Sequence, residues 1–322
     1  MNIALIICNI GAKDKVVLIM NENNTIEEIT KIFLIRKYEE SLKESTLARY
    51  TYLCRKYIIP YFGDIAMNEL NNETIKDFIS HLIKGNSLAP KTINDIICLL
   101  IQIIKNHCNF EIDIKKLNNK QNDINVFTDE EYTKLKSYLN IETDSKKLGI
   151  MIAMLTGIRL GELCALKWEN IDLENGIIYI QKTIQRVKTI DINSKTKTKI
   201  VIDTPKSMAS IRSIPLPVIL LNKLKEFKSK PNTYVLTNTA KYIEPRVYQR
   251  HFKAYLKACS IKDNNFHTLR HTFATTGILK GIDTKTLSVL LGHSDVSFTM
   301  KTYVHPNLEH KRSQLEKLAV GF

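Results

Sequence analysis

The side chains with the greatest capacity for chemistry lie in three short segments of the C-terminal half. The first carries Arg159, the second reads His267-Thr268-Leu269-Arg270-His271, and the third carries His293 and, ten residues later, Tyr303. Guanidinium groups bind the oxygens of a phosphodiester, imidazoles transfer protons, and a phenol can attack phosphorus. The set indicates phosphodiester chemistry that needs no metal.

Each residue alone is also consistent with a structural role. Gly157 is predicted to end a helix, which puts Arg159 near the start of the next one, where anions are favoured. A salt bridge to Glu162, three residues on, is the alternative for Arg159. Tyr303 alone indicates a packed side chain, since a phenol is protonated at neutral pH and acts as a nucleophile only in an electropositive pocket.

The spacing of His267, Arg270 and His271 places all three on one face of a helix. A basic surface helix is one alternative to phosphate binding. A zinc site is another, since His-x-x-x-His has metal-ligand spacing, but the zinc-protease motif needs Glu after the first histidine and Thr268 stands there. The sequence therefore favours a phosphate site and predicts no metal or cofactor.

A basic segment precedes these histidines. Residues 185–213 contain seven Lys or Arg against two Asp, and Lys206 and Arg212 both lie within it. A β-hairpin of this charge can lie along a phosphate backbone and place a lysine beside the scissile bond. A solvated basic loop is the alternative.

The bulk composition favours a soluble protein with a polyanionic partner. The 322 residues carry a net charge of +14, and 44% of them are hydrophobic. The six cysteines form no Cys-x-x-Cys pair, and no apolar run reaches the roughly 18–20 residues that span a membrane. Residues 1–10 are nearly all apolar but lack the features of a secretory signal. These observations predict a cytoplasmic protein without membrane contact.

The elements that must position the candidate residues are mostly helices. Thr25 and Glu28 form a capping box that starts the first helix, Pro60 and Gly63 are expected to stop the second, and Pro90 opens the fourth. The polar stretch 109–125 predicts a linker. The sequence thus favours a compact all-α domain of four short helices over 24–108.

The region after the linker is predicted to be helical with one β interruption. A second capping box begins at Thr128, and strands are expected at Ile177–Ile180, at Lys199–Ile202 and near 210–214. Residues 306–322 predict an amphipathic tail whose apolar positions are Leu308, Leu315, Leu318 and Ala319.

The order of these motifs resembles the tyrosine recombinase (phage integrase) family from about residue 25 to 305. The resemblance implies a mainly α fold with a small β region. An N-terminal four-helix core-binding (SAM-like) domain over 24–108 would be followed by a mixed α/β catalytic domain over 126–305, and the two would form a C-shaped DNA clamp. A linker over 109–125, a tail over 306–322 and an extension of unknown role over 1–23 complete the predicted organisation.

The resemblance also implies a mechanism and roles for single residues. Tyr303 would attack the scissile phosphorus and leave a 3′-phosphotyrosine. Arg159 and Arg270 would bind the non-bridging oxygens, and Lys206 would be the acid for the 5′-oxygen. His267 would be the base near the tyrosine, and His293 would contact the phosphate. His271 matches a second histidine of the motif and is given no chemistry.

The implied partner is double-stranded DNA with specific recombination sites, bound by a homo-tetramer. Arg49, Lys91 and Arg212 are expected to face DNA, and association with DNA would place the protein at the nucleoid. The tail would dock on a neighbouring protomer or on its own domain, and an excisionase or a host DNA-bending protein would assist.

The long segment between Ile177 and Lys206 resembles integrases of phages and conjugative transposons, so integration or excision of a mobile element is expected. The alternatives are an Xer-type resolvase of chromosome or plasmid dimers, a type IB topoisomerase, and a DNA-binding regulator without catalysis.

Overall fold

The computed structural model describes residues 24–85, 88–108, 110–118, 124–190, 196–205 and 208–303, together with four positions of the tail. They group into two compact units. One is drawn from Met1–Asn122 and Arg186–Val201, and the other from Asp123–Gln185 and Ile202–Phe322. The predictions for residues 1–23, for Lys206, and for Leu308 and Leu318 fall outside the described residues.

The N-terminal segment of the first unit is mainly helical, as predicted, whereas its second segment, Arg186–Val201, contains strand residues. Its helices are α1 (Ile26–Glu39), α2 (Glu44–Leu53), α3 (Ile59–Phe62), α4 (Asn72–Gly85) and α5 (Pro90–Ile104). The Thr25 side chain accepts from the backbone N–H of Glu28, whose carboxylate accepts in return from the Thr25 N–H. The predicted capping box is therefore confirmed, and so is Pro90 at the first turn of α5.

The expectation that Pro60 ends a helix is wrong. The chain passes through a π-helical turn, Cys54–Ile58, and continues as α3, which contains Pro60. Proline has no N–H to donate to the carbonyl four residues earlier. The wider turn before it, in which the Ile59 N–H donates to the Cys54 carbonyl, lets the helix continue to Gly63.

The first unit has its own apolar core. α4 contributes Ile75, Phe78 and Leu82, and α5 contributes an apolar face that includes Ile96 and Leu100. Four apolar residues of the predicted linker also pack there, namely Phe110, Ile112, Ile114 and Leu117. The Asn94 side chain fixes the Leu117 backbone through two hydrogen bonds of 2.8 and 2.9 Å. The chain after α5 therefore follows the first unit before it reaches the second.

The second unit combines helices with short strands. Its helices are α6 (Asp129–Asn140), α7 (Ser145–Thr156), α8 (Leu160–Ala165), α9 (Val218–Phe227), α10 (Pro245–Ala258), α11 (His267–Leu279), α12 (Thr284–Leu291) and α13 (Val296–Tyr303). Thr128 and Glu131 form the second predicted capping box, at the start of α6. No described helix is both long and apolar enough to cross a membrane.

The strands are β1 (Ile171–Asp172), β2 (Ile177–Ile180), β3 (Thr183–Lys188), β4 (Thr198–Asp203) and β5 (Arg212–Pro215). β2 pairs antiparallel with both β1 and β5, and β3 pairs with β4 as a separate two-stranded sheet. The mainly α fold with a small β region is confirmed. β1 and β3 were not expected, because β1 has two residues and β3 lacks a clean alternation of apolar and polar side chains.

Two helices of the second unit end at glycines with left-handed backbone conformation. Gly157 ends α7 with φ 64°, and Gly292 ends α12 with φ 66°. This left-handed conformation favours glycine. At Gly157 a Cβ atom would lie 2.6 Å from the Phe273 ring, so space as well as conformation requires glycine there. The turns lead directly into Arg159 and His293.

Candidate active site

The C-terminal turn of α12 holds three arginine side chains. Its last carbonyls have no partners within the helix, and the helix dipole makes this end negative. Three successive carbonyls each accept a hydrogen bond from a different guanidinium. The pairs are Arg212 Nε to Leu290 O at 2.6 Å, Arg270 Nη2 to Leu291 O at 2.7 Å, and Arg159 Nη2 to Gly292 O at 3.1 Å.

Arg270 is the most enclosed of the three, with 1% of its surface exposed. Besides the α12 carbonyl, it donates to Gly157 O at 2.9 Å and contacts His293 Nε2 at 2.8 Å. Burial, together with the charges of Arg159 and Arg212, lowers the pKa of Arg270 to about 9, which leaves it charged at neutral pH. The α7 and α12 glycine turns thus clamp one guanidinium between them.

A buried carboxylate links the other two arginines. Glu162 accepts from Arg159 Nη1 at 2.7 Å and from Arg212 Nη1 and Nη2 at 3.2 and 3.0 Å. Burial raises the pKa of Glu162, but the Arg212 and Arg159 charges outweigh it and the net pKa is lowered. The salt-bridge alternative for Arg159 is therefore observed. Its side chain nevertheless stays 33% exposed, so part of the guanidinium still faces solvent.

The expectation that Arg212 faces DNA does not fit its position. Its side chain is 3% exposed, and its donors go to Glu162, Leu290 O and Ser210 O. Residue type and local charge suggested a DNA contact, but the partners are 50 and 78 positions away in sequence. Arg212 instead fixes the carboxylate that holds Arg159.

His293 is held on both sides of its ring. Nδ1 lies 2.7 Å from Thr299 Oγ1, and Nε2 faces Arg270. Because a guanidinium only donates, Nε2 accepts, and the proton of the neutral ring is assigned to Nδ1. Burial and the Arg270 and Arg159 charges lower the pKa of His293 to about 3, which favours this neutral form.

Tyr303 is buried, with 6% of its surface exposed, and packs against Ala274, Leu287 and Leu291. Its hydroxyl lies 2.7 Å from His271 Nδ1. Burial raises the pKa of Tyr303, although the Arg270 and Arg159 charges oppose the shift. The Tyr303 hydroxyl is therefore hydrogen-bonded to His271, the histidine to which the resemblance assigned no role in the reaction.

His267, the implied base, lies one turn before His271 on α11. The two rings meet edge-on with centroids 4.5 Å apart. Partial burial and the charges of His271 and Arg270 lower the pKa of His267 to about 4, although the residue keeps an exposed surface. The four-residue spacing signalled that both histidines share a helix face, but it did not show which one reaches Tyr303.

The three remaining predicted residues are not among the described side chains of this cluster. Lys206 is outside the described residues. Arg49 and Lys91 belong to the first unit, and both are exposed, Arg49 with an ion pair to Asp95. Among the described residues, no three His, Cys, Asp or Glu side chains are grouped so as to hold a metal, and the zinc alternative gains no third ligand.

The second unit thus brings guanidinium groups, neutral imidazoles and a phenol together near the turns at Gly157 and Gly292. Such an electropositive cluster suits a phosphate group whose charge increases during reaction. The phage integrase family model matches residues 125–310, and the SAM-like N-terminal domain model of phage integrases matches residues 25–83. The chain therefore belongs to the phage integrase family of tyrosine recombinases, and the predicted family and domain types are confirmed.

Among individual proteins, a XerC-like tyrosine recombinase of Caldanaerobacter subterraneus subsp. tengcongensis is 32% identical over 215 residues, which cover 62% of this chain and 54% of that protein. The chain thus spans about half the length of this relative. The ICEBs1 integrase of Bacillus subtilis is 24% identical over 83% of this chain and 75% of its own length.

Among solved structures, the Tn1549 transposon integrase, in complex with transposon right end DNA, aligns with a TM-score of 0.73 at 21% identity. The alignment covers 92% of this chain and 99% of that one. This similarity establishes a shared fold.

Proposed function

We propose that this chain is a site-specific DNA recombinase that cleaves and rejoins DNA through a 3′-phosphotyrosine, and that it integrates or excises a mobile element. The observation that carries the proposal is the α12 turn, where Arg159 and Arg270 converge beside His293 in the same unit as a hydrogen-bonded Tyr303 hydroxyl. Family membership supplies the reaction class.

In this mechanism the Tyr303 oxygen attacks the scissile phosphorus in line. Arg159 and Arg270 bind the non-bridging oxygens, whose negative charge grows in the pentacovalent transition state. Both guanidinium groups are already oriented by carbonyls, so little reorganisation is needed when the phosphate arrives. His293 keeps Arg270 oriented, and its family-implied contact with the phosphate remains part of the proposal.

The leaving 5′-oxygen needs a proton. The resemblance gives this role to Lys206, within the basic segment 185–213. The bond energy of the phosphodiester is kept in the tyrosine ester, so a 5′-hydroxyl can reverse the attack without ATP or metal.

Recombination exchanges strands between two duplexes and therefore needs four cleavages. With one nucleophile in each chain, a homo-tetramer on paired sites is the expected assembly. In this proposal the 306–322 tail of each chain docks on a neighbouring protomer. Arg49 and Lys91 are proposed DNA contacts of the first unit, since both are exposed and cationic. An excisionase or a host DNA-bending protein would set the direction of the reaction.

The similarity to the ICEBs1 and Tn1549 integrases favours a mobile element. The XerC-like relative favours a second candidate, the resolution of chromosome or plasmid dimers. A plasmid assay separates the two functions. An integrase recombines two different attachment sites, whereas a dimer resolvase acts on two copies of one site.

The binding site is first found as the DNA sequence next to the gene for this chain that the protein protects from nuclease. The nucleophile is then tested on a nicked suicide duplex of that sequence. The unaltered chain should form a covalent adduct that persists in detergent. Tyr303→Phe should bind this DNA but form no adduct, while the control Tyr179→Phe, on a strand of the same unit, should form it normally. Adduct formation by Tyr303→Phe would remove the residue from the proposed role.

The competing functions give different results. A type IB topoisomerase would relax supercoiled plasmids that lack the protected sequence. A regulator without catalysis would bind the site and leave the suicide duplex intact.

A further inference from the structure

We propose that His271 is a catalytic residue whose Nδ1 accepts the proton of the Tyr303 hydroxyl as that oxygen attacks phosphorus. The inference rests on the proposed function, because it assigns the base for the same nucleophile. It replaces His267 in that role by the adjacent histidine of the same helix face.

The geometry of the contact supports proton transfer. The hydroxyl oxygen and Nδ1 are 2.7 Å apart, within the range expected of a general base and its substrate. The tyrosine ring is packed against Ala274, Leu287 and Leu291, and this packing limits where its hydroxyl can point. The contact is therefore built by three helices, α11, α12 and α13.

The surroundings favour a neutral imidazole and a protonated phenol. The titratable groups around His271 among the described residues are His267 and Arg270 on its own helix and Tyr303 on α13. Burial and the Arg270 charge lower the pKa of His271, so at neutral pH the ring can accept a proton. Burial raises the pKa of Tyr303, so the phenol does not ionise without help.

The proton and bonds balance in each direction. In cleavage the Tyr303 O–H bond breaks, its proton moves to Nδ1 to give an imidazolium, and a new O–P bond forms. The P–O5′ bond breaks, and the leaving oxygen takes a proton from the acid. In rejoining, the 5′-hydroxyl gives its proton back to the deprotonated acid and forms the P–O5′ bond. The tyrosine O–P bond breaks, and the imidazolium returns its proton to the tyrosine oxygen.

A histidine-to-asparagine exchange separates proton transfer from positioning. The asparagine amide lies close to the location of Nδ1, so it can hydrogen-bond the hydroxyl but cannot accept its proton at neutral pH. We expect His271→Asn to slow adduct formation about 10²- to 10⁴-fold, the usual range for general-base catalysis. The matched control His267→Asn, one turn away on the same face, should lose less than His271→Asn does.

A substrate with sulfur in place of the bridging 5′-oxygen adds a second test. A thiolate leaves without an acid, so this duplex rescues variants that lack the acid but should not rescue His271→Asn. The rate of His271→Asn should also rise with pH toward the pKa of the phenol, whereas the unaltered chain should show a plateau around neutral pH. Thermal unfolding and DNA binding are measured for every variant to confirm that it is folded.

Four results would overturn the inference. His271→Asn could cleave at the unaltered rate, or it could cleave faster, which would make the contact a resting position that restrains Tyr303. The sulfur substrate could rescue the variant, or its pH profile could equal that of the unaltered chain. The proposed function fails in a different way, namely if the unaltered chain forms no adduct.

Discussion

Replacing Arg212 by methionine is predicted to lower the free energy of unfolding of the second unit by about 3–5 kcal/mol, the usual cost of breaking a buried ion pair by removing one partner. The Glu162 and Arg212 side chains are 2% and 3% exposed, so water cannot replace the lost guanidinium. Methionine fills much of the same space, and the cost is therefore mainly the uncompensated carboxylate.

Two further contacts determine where in that range the value falls. The substitution leaves Leu290 O without the Arg212 donor, and an unsatisfied buried acceptor costs about 1–3 kcal/mol. Against this, Glu162 keeps its 2.7 Å hydrogen bond to Arg159, which offsets part of the loss. We therefore expect the loss in unfolding free energy to lie inside this range. Cleavage should also be slower, because Arg212 no longer fixes the Glu162 carboxylate that orients Arg159.

The assay is urea unfolding followed by the fluorescence of Trp168, the single tryptophan of the chain and a buried residue of the second unit. In thermal unfolding followed by the same fluorescence, a loss of 3–5 kcal/mol corresponds to a melting temperature lower by about 6–20 °C for a unit of this size. Lys223→Met is the control, since it removes an exposed ion pair and should cost less than about 1 kcal/mol. A loss below about 1 kcal/mol for Arg212→Met would refute the argument.

Three other outcomes are expected from the same region. Gly292→Ala should cost about 1–3 kcal/mol in urea unfolding, because φ is 66° and the new Cβ would lie 3.0 Å from Ala209 O and 3.1 Å from the Arg212 side chain. The stability from the paired Glu162 carboxylate should be present above about pH 4.5 and be lost as the pH falls through its lowered folded pKa, and unfolding of Glu162→Gln at the same pH values should lack this loss. Adduct formation on the suicide duplex should proceed at an unchanged rate in excess EDTA, and a loss of activity restored by added metal would contradict the metal-free mechanism.

Local features of the fold could be predicted because their physics is local. The capping boxes at Thr25 and Thr128 need only a hydroxyl and a carboxylate three residues apart, and the turn at Gly157 needs only a residue that tolerates positive φ. Pro60 is the exception among local signals. Its effect depended on whether the preceding turn could widen, and the sequence offered no sign of the π-helical turn.

The candidate site was predicted as a set of residues but not as a network. Motif order identified Arg159, Arg270 and Tyr303, but each of them also has a partner far along the chain, such as Gly292 O for Arg159. Arg212 reaches Glu162 across 50 positions, and His271 reaches Tyr303 across 32. Charge alone placed Arg212 on DNA, because nothing in its neighbourhood revealed that its guanidinium would be enclosed.

The α12 turn explains how like charges can converge before DNA binds. Three guanidinium groups repel one another, and the helix end offsets this repulsion with a carbonyl for each, while Glu162 neutralises one charge. The excess of positive charge that remains suits a phosphodiester whose oxygens gain charge during attack. If Glu162 serves this balance, removing Arg212 should weaken the fold, whereas removing Arg159 should mainly weaken phosphate binding, because only the Arg159 side chain keeps a substantial surface open to solvent.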